Sequence, residues 1–218
     1  VWMASIVLSG SPMQFNDYWF MIDRTFRPDG LIDIGGLFTF QNEHPIVLPQ
    51  LLYWVNAQLT GGSNIVLGLI VIAVVAAQIV LISRFVPDEA VSRATALGLV
   101  AVAGLLLFSR QGTHNFWLAM SGSAWLLANL LVIAALFARW RGRLTAALVL
   151  AVLASMTYGT GLMVWPALVV TGMVVDRRRR PEPLVLGIAC FVAIGYFLLR
   201  DPVPEAPSPS LYAWLRAT

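Results

Sequence analysis

Four polar clusters interrupt an otherwise apolar chain: Asn16-Asp17, Gln41-Asn42-Glu43-His44, Arg110-Gln111-Gly112-Thr113-His114-Asn115 and Tyr158-Gly159-Thr160. Asp17 is followed by Tyr18-Trp19. A carboxylate partly desolvated by aromatic rings can take a proton from a hydroxyl nucleophile. The plainer role is a first-turn acid favoured by the helix dipole. Glu43 and His44 precede Pro45. They could bind a divalent cation such as Mg or Mn, a phosphate or a sugar hydroxyl. Alternatively His44 or Asn42 caps the following helix, with Glu43 a solvated neighbour. The chain has only two histidines, His44 and His114, and no HExxH pattern or cysteine pair, so a dedicated metal site is not indicated. Arg110 and His114 could hold a phosphate group at the outer interface, Arg110 by bidentate hydrogen bonding. The competing role is an interfacial arginine that snorkels to lipid headgroups. Asp23 and Arg27, four apart, are placed to pair on a helix surface. No phosphate-binding glycine loop, dinucleotide fingerprint or serine nucleophile elbow is present.

The elements that carry these clusters are set by composition. Hydrophobic residues make up 59% of the 218 and charged residues 11%, with mean hydropathy +0.79. Soluble domains carry about 25% charge. No charged side chain falls between Glu43 and Arg84, between Arg110 and Arg139, or between Arg143 and Asp176. Crossing a hydrocarbon core takes roughly 20 apolar residues, and these runs meet that length. The expected class is therefore all-α, a polytopic transmembrane helical protein in contact with membrane lipids. The net charge of +3 comes from arginine alone, as lysine is absent, and the arginines stand at the ends of apolar runs. That placement fits helix anchoring and orientation and argues against nucleic-acid binding. Cys190, the single cysteine, rules out an intrachain disulfide. The abundance of Arg, Ala, Val and Gly hints at a GC-rich bacterial genome.

Residues 1–9 read as the outer end of a first span whose beginning is absent, and residues 10–62 as an extracytoplasmic loop. Residues 63–199 then hold six spans: Ser63–Ser83, Ala94–Ser109, Phe116–Ala138, Leu144–Tyr158, Gly161–Val175 and Leu184–Leu199. Residues 200–218 form an outer, proline-rich tail. The run Leu144–Val175 is too long for one helix, and Tyr158-Gly159-Thr160-Gly161 permits a reversal within it. Two arginine loops, Arg139 to Arg143 and Arg177 to Arg180, go to the cytoplasm together only if that reversal makes two crossings. The same parity sends all four polar clusters to the outer face, where polar groups near a membrane tend to be functional. It also makes Pro45–Leu59 an interfacial helix rather than a span. A further interfacial helix is expected after Ser11-Pro12-Met13-Gln14, a capping-box pattern. Its apolar stripe would be Phe15, Tyr18, Trp19, Ile22 and Phe26, ended by Arg27-Pro28-Asp29-Gly30.

The outer carboxylate in Asn16-Asp17-Tyr18-Trp19, followed by two interfacial helices before the next span, resembles the GT-C glycosyltransferases. Asn42-Glu43-His44-Pro45-Ile46-Val47-Leu48-Pro49 is similar to a motif of uncharacterised bacterial multi-span proteins placed near that superfamily. Asn115-Phe116-Trp117 and the block from Thr157 to Pro166 resemble later blocks of the same group. Pro45 stands where arginine is common, which removes one candidate phosphate ligand. The resemblance also implies more spans and a carboxy-terminal domain, so the chain is expected to be an amino-terminal portion. It implies transfer of a sugar from a polyprenyl-phosphate donor to an acceptor outside a bacterial plasma membrane. Asp17 would then be the base, with Asn16, Asn42, Glu43, His44, Arg110, Gln111, His114 and Tyr158 binding substrate. The alternatives are a non-catalytic subunit of a larger membrane complex, with further membrane subunits as partners, or a lipid or solute transporter.

Overall fold

A computed structural model describes residues 2–14, 16–27, 29–38, 40–41, 44–85, 92–107, 116–175 and 192. Over these residues the chain is almost wholly helical, as the all-α expectation requires. The helices are α1 (Trp2–Ser9), α2 (Asn16–Thr25), α3 (Ile34–Leu37), α4 (Val47–Thr60), α5 (Asn64–Ser83), α6 (Arg93–Leu107), α7 (Ala119–Trp140), α8 (Leu144–Ser155) and α9 (Val164–Val175). A two-residue antiparallel pair, β1 (Phe40–Gln41) with β2 (His44–Pro45), precedes α4, and a 3-10 turn over Gly159–Met163 separates α8 from α9. Among the described residues two helices, α5 and α7, are long and apolar enough to cross a membrane; α6, α8 and the stretch Gly159–Met173, which leads into α9, are apolar but shorter.

α5 and α7 run side by side in the same direction. Near their amino ends the Asn64 amide donates to the Trp117 carbonyl at 3.1 Å and accepts from Ala119 N–H at 3.3 Å. At their carboxyl ends, Phe85, just past α5, lies against Phe137 and Trp140 in the last turn of α7, with ring centroids 5.3 and 5.6 Å apart. Between these ends, Leu67, Val71 and Val75 are fully buried in a core shared with Ala119 and Leu126. Gln78 is buried there too and donates to the Leu126 carbonyl at 2.7 Å. α8 turns back along α7 through Arg141-Gly142-Arg143. Its Ala147, Ala151 and Ala154 are completely buried with Ala135 and Ala138 of α7. Small residues at this spacing let helix backbones approach closely, which maximises dispersion contact where no hydrophobic drive separates helix from lipid.

Three local expectations are corrected. Ser11–Gln14 does not open a helix, since α2 begins at Asn16. The Ser11 and Pro12 carbonyls instead accept from the Asn64 side chain (3.2 Å) and backbone N–H (3.0 Å), which ties the segment to the start of α5. The Ser11 hydroxyl accepts locally from Met13 N–H at 3.1 Å. The inner face of α2 is Tyr18, Met21 and Thr25, while Trp19 points outward. The Tyr18 hydroxyl decides that rotation, because burial obliges it to find a partner, the Tyr53 carbonyl at 3.0 Å. Arg27 pairs with Asp29 at 3.2 Å, in the turn beyond α2, and not with Asp23. The sequence also missed α3, capped by Asp33, whose carboxylate accepts from Gly35 N–H at 2.9 Å.

Pro45–Leu59 is helical from Val47, and its chain reversal before α5 is made by Gly61 at φ 65°. The reversal expected at Tyr158–Gly161 falls in the 3-10 turn. The segments read as Leu184–Leu199 and the tail, with Cys190 and Arg177 to Arg180, lie outside the described residues apart from Val192.

Candidate functional site

Asp17 gains its position from its neighbour. Tyr18 is wholly buried and donates to the Tyr53 carbonyl of α4, while the Asn56 amide donates to the Tyr18 hydroxyl at 3.2 Å. Tyr53 in turn donates to the Met120 carbonyl of α7 at 2.8 Å and accepts from the Ser123 hydroxyl at 3.4 Å. α2, α4 and α7 are thereby laced together, and Asp17 is left exposed at the edge of the lacing. Burial pushes the pKa of both phenols above the ordinary value of 10.0, opposed by the hydrogen bond from Asn56 at Tyr18 and from Ser123 at Tyr53. Both are neutral anchors.

His44 arrives from a different direction. Its strand pairs with Gln41, and four residues later Leu48 N–H donates to the Met156 carbonyl at the end of α8 at 3.4 Å. This brings the imidazole over Tyr158, with centroids 4.1 Å apart and planes 36° apart. Tyr158 meets Trp125 of α7 at 5.1 Å. The three rings form one ladder across β2, the turn and α7. His44 does not cap α4, since Ile46 occupies that position and offers no side-chain bond.

A pocket of about 350 Å³ opens between these parts. Asp17, His44, Tyr53, Ser121, Trp125 and Tyr158 supply its polar and aromatic lining, and Met21, Ile46, Met120 and Ala124 the rest. The volume lies within the range of small-ligand sites, roughly 300–1,000 Å³. Asp17, His44 and Tyr158, which the sequence drew from three separate clusters, therefore share one cavity. Asn16 opens α2 beside Asp17. Asn42, Glu43, Arg110, Gln111 and His114 lie outside the described residues. Among the described residues no group of three or more His, Cys, Asp or Glu could hold a metal ion.

Trp125, Ser121 and Tyr53 escaped the sequence reading. Trp125 sits in a charge-free run, where tryptophan ordinarily reads as a membrane-belt anchor. The usable signal was Ser121 four residues before it, which places both on one helix face.

No family model, curated protein or solved structure matches the chain.

Proposed function

We propose that the chain is a multi-pass membrane glycosyltransferase of the GT-C type, moving a sugar from a polyprenyl-phosphate donor to an acceptor on the extracytoplasmic face of a bacterial plasma membrane. The observation that carries this reading is the meeting of Asp17, His44 and Tyr158 in one pocket. That pocket lies towards the opposite end of α7 from Arg139, Arg141 and Arg143. By the positive-inside rule the arginine end is cytoplasmic and the pocket faces out. In the reaction Asp17 accepts the proton of the acceptor hydroxyl. The hydroxyl oxygen bonds to the anomeric carbon, and the anomeric carbon–oxygen bond to phosphate breaks. Polyprenyl phosphate leaves with the electron pair. The ladder of His44, Tyr158 and Trp125 suits the apolar face of a sugar ring. Arg110 and His114 are the proposed phosphate ligands, Glu43 and His44 orient the acceptor or the leaving phosphate, directly or through a divalent cation, and Asn16, Asn42 and Gln111 complete the substrate-binding set.

A transporter would need polar groups lining a path at mid-span. Gln78, the polar residue buried midway along α5, spends its amide N–H on the Leu126 carbonyl instead, and so fastens two helices.

Purified protein in proteoliposomes, supplied with polyprenyl-phosphate-linked sugars, tests the reading directly. Asp17→Asn should lower transfer by about 10²–10⁴-fold, the usual contribution of a general base, with the melting temperature unchanged. Full activity of that variant would sink the assignment.

A further inference from the structure

Gly159 meets His44 at a point where a side chain has no room. A Cβ on Gly159 would fall 2.6 Å from His44 Nδ1 and 3.1 Å from its Cε1. Carbon atoms in favourable contact sit at about 3.5–4.0 Å, so the ring would have to move. It has little freedom to do so. One neighbour is Tyr158 at 4.1 Å, and the backbone is held by the pairing with Gln41 and by the proline that follows. Tyr158 is itself in contact with Trp125, so a shift of His44 passes into the ring ladder that walls the pocket. Gly159 does not line that pocket.

We propose that Gly159 is a positioning residue for the pocket: its missing side chain sets where the His44 ring stands and keeps the ladder His44–Tyr158–Trp125 closed. Gly161, two residues on, supplies the contrast. A Cβ there would collide with the Ala154 carbonyl oxygen, a backbone contact that closes α8 onto the turn without involving His44. One glycine serves the hairpin, and the other serves the imidazole.

The distinction can be measured through His44 itself. Trimming His44 to alanine removes Nδ1 and Cε1, the two atoms a methyl on Gly159 would strike; Cγ, at 3.7 Å, is already in ordinary contact. Gly159→Ala should therefore lower the melting temperature of the purified full chain by roughly 2–8 °C. In the His44→Ala background the same substitution should cost nothing further. Gly161→Ala should lower it in both backgrounds. The imidazole Cε1–H resonance of His44, told from that of His114 by its loss in His44→Gln, should move in Gly159→Ala as the ring leaves Tyr158, and stay in place in a folded Gly161→Ala protein.

Equal damage by Gly159→Ala in both backgrounds would overturn the proposal. So would an unshifted His44 resonance, or failure of the Gly159→Ala/His44→Ala double variant to fold. The positioning role rests on the glycosyltransferase reading only for its effect on transfer. These readouts use no substrate, so they can fail while that reading stands, or hold while it falls.

Discussion

At the scale of single residues, the site depends on hydroxyls that touch no substrate in the proposed reaction. Tyr18 and Tyr53 join α2 to α4 and α4 to α7, and Asp17 rides on the first of these joints. Tyr53→Phe removes the bond to the Met120 carbonyl, and the Ser123 hydroxyl, 2.7 Å from that carbonyl and relieved of Tyr53 as an acceptor, then serves it as donor. The expected loss is therefore the modest net worth of one hydrogen bond, about 1 kcal/mol, readable as a lower melting temperature. Both phenols are harder to ionise in the folded chain than the ordinary 10.0, burial being the main cause. Above pH about 10 the unfolded chain releases protons that the folded chain retains, so stability falls as pH rises through that window and is intact below it. The melting temperature should drop above pH about 10 and drop less steeply in Tyr18→Phe/Tyr53→Phe; equal slopes would show that these phenols are not the cause. Asp17, His44 and Tyr158 were legible in the sequence because a polar residue in an apolar chain is conspicuous. Trp125 and Tyr53 were not, because an aromatic residue in an apolar helix looks the same whether it faces lipid, core or cavity.

Among the helices, two kinds of contact hold the bundle, and each makes a distinct prediction. Gln78 is the mid-helix polar tie between α5 and α7, beside the Asn64 tie at their amino ends, and hydrogen bonds between helices in lipid average about 0.6 kcal/mol and reach about 1.7. Gln78→Leu should cost no more than that and leave the pocket intact, measured by reversible unfolding in mixed micelles. The alanine seam is less forgiving. Ala151 is fully buried between α8 and α7, and added methylenes in a packed interior cost about 1–3 kcal/mol. Ala151→Leu should therefore destabilise more than Gln78→Leu; the reverse order would mean that α8 does not pack on α7 as described. Long helices were readable to within a few residues: the run read as Ser63–Ser83 is helical from Asn64 to Ser83, with the Ser63 hydroxyl accepting from Val66 N–H at 3.3 Å. Short elements were not. The capping pattern at Ser11 was overruled by long-range bonds from Asn64, and such bonds leave no local trace in a sequence. The pairing of β1 with β2, two residues each, is below the length at which alternation can be seen.

For the molecule as a whole, the meaningful quantity is its polarity from end to end. Trp117 and Trp125 are half-exposed near the start of α7. Trp140 closes its other end, where the Arg141 guanidinium lies 5.8 Å from the Trp140 and Phe137 ring centres. From Trp117 to Trp140 is roughly 34 Å at about 1.5 Å per residue, close to the hydrocarbon thickness of about 30 Å. Among the described residues flanking α7, aromatic side chains stand at both ends and arginine, as Arg139, Arg141 and Arg143, at the carboxyl end alone, the pattern the positive-inside rule expects of a spanning helix. The proposed orientation turns on that asymmetry, and α4 and α6 make it testable. Thr60 ends α4 at the pocket side, close to the start of α5, whereas Ser92 precedes α6 after the chain has travelled the length of α5. With the single native thiol removed as Cys190→Ala, Thr60→Cys should react with a membrane-impermeant maleimide added to intact cells. Ser92→Cys should react only once the membrane is opened. Labelling of Ser92→Cys from outside would invert the molecule, place the pocket in the cytoplasm and remove the basis for an extracytoplasmic acceptor. If neither thiol reacts before the membrane is opened, α4 does not lie at the outer surface, and the run Pro45–Leu59 must be reconsidered as a span.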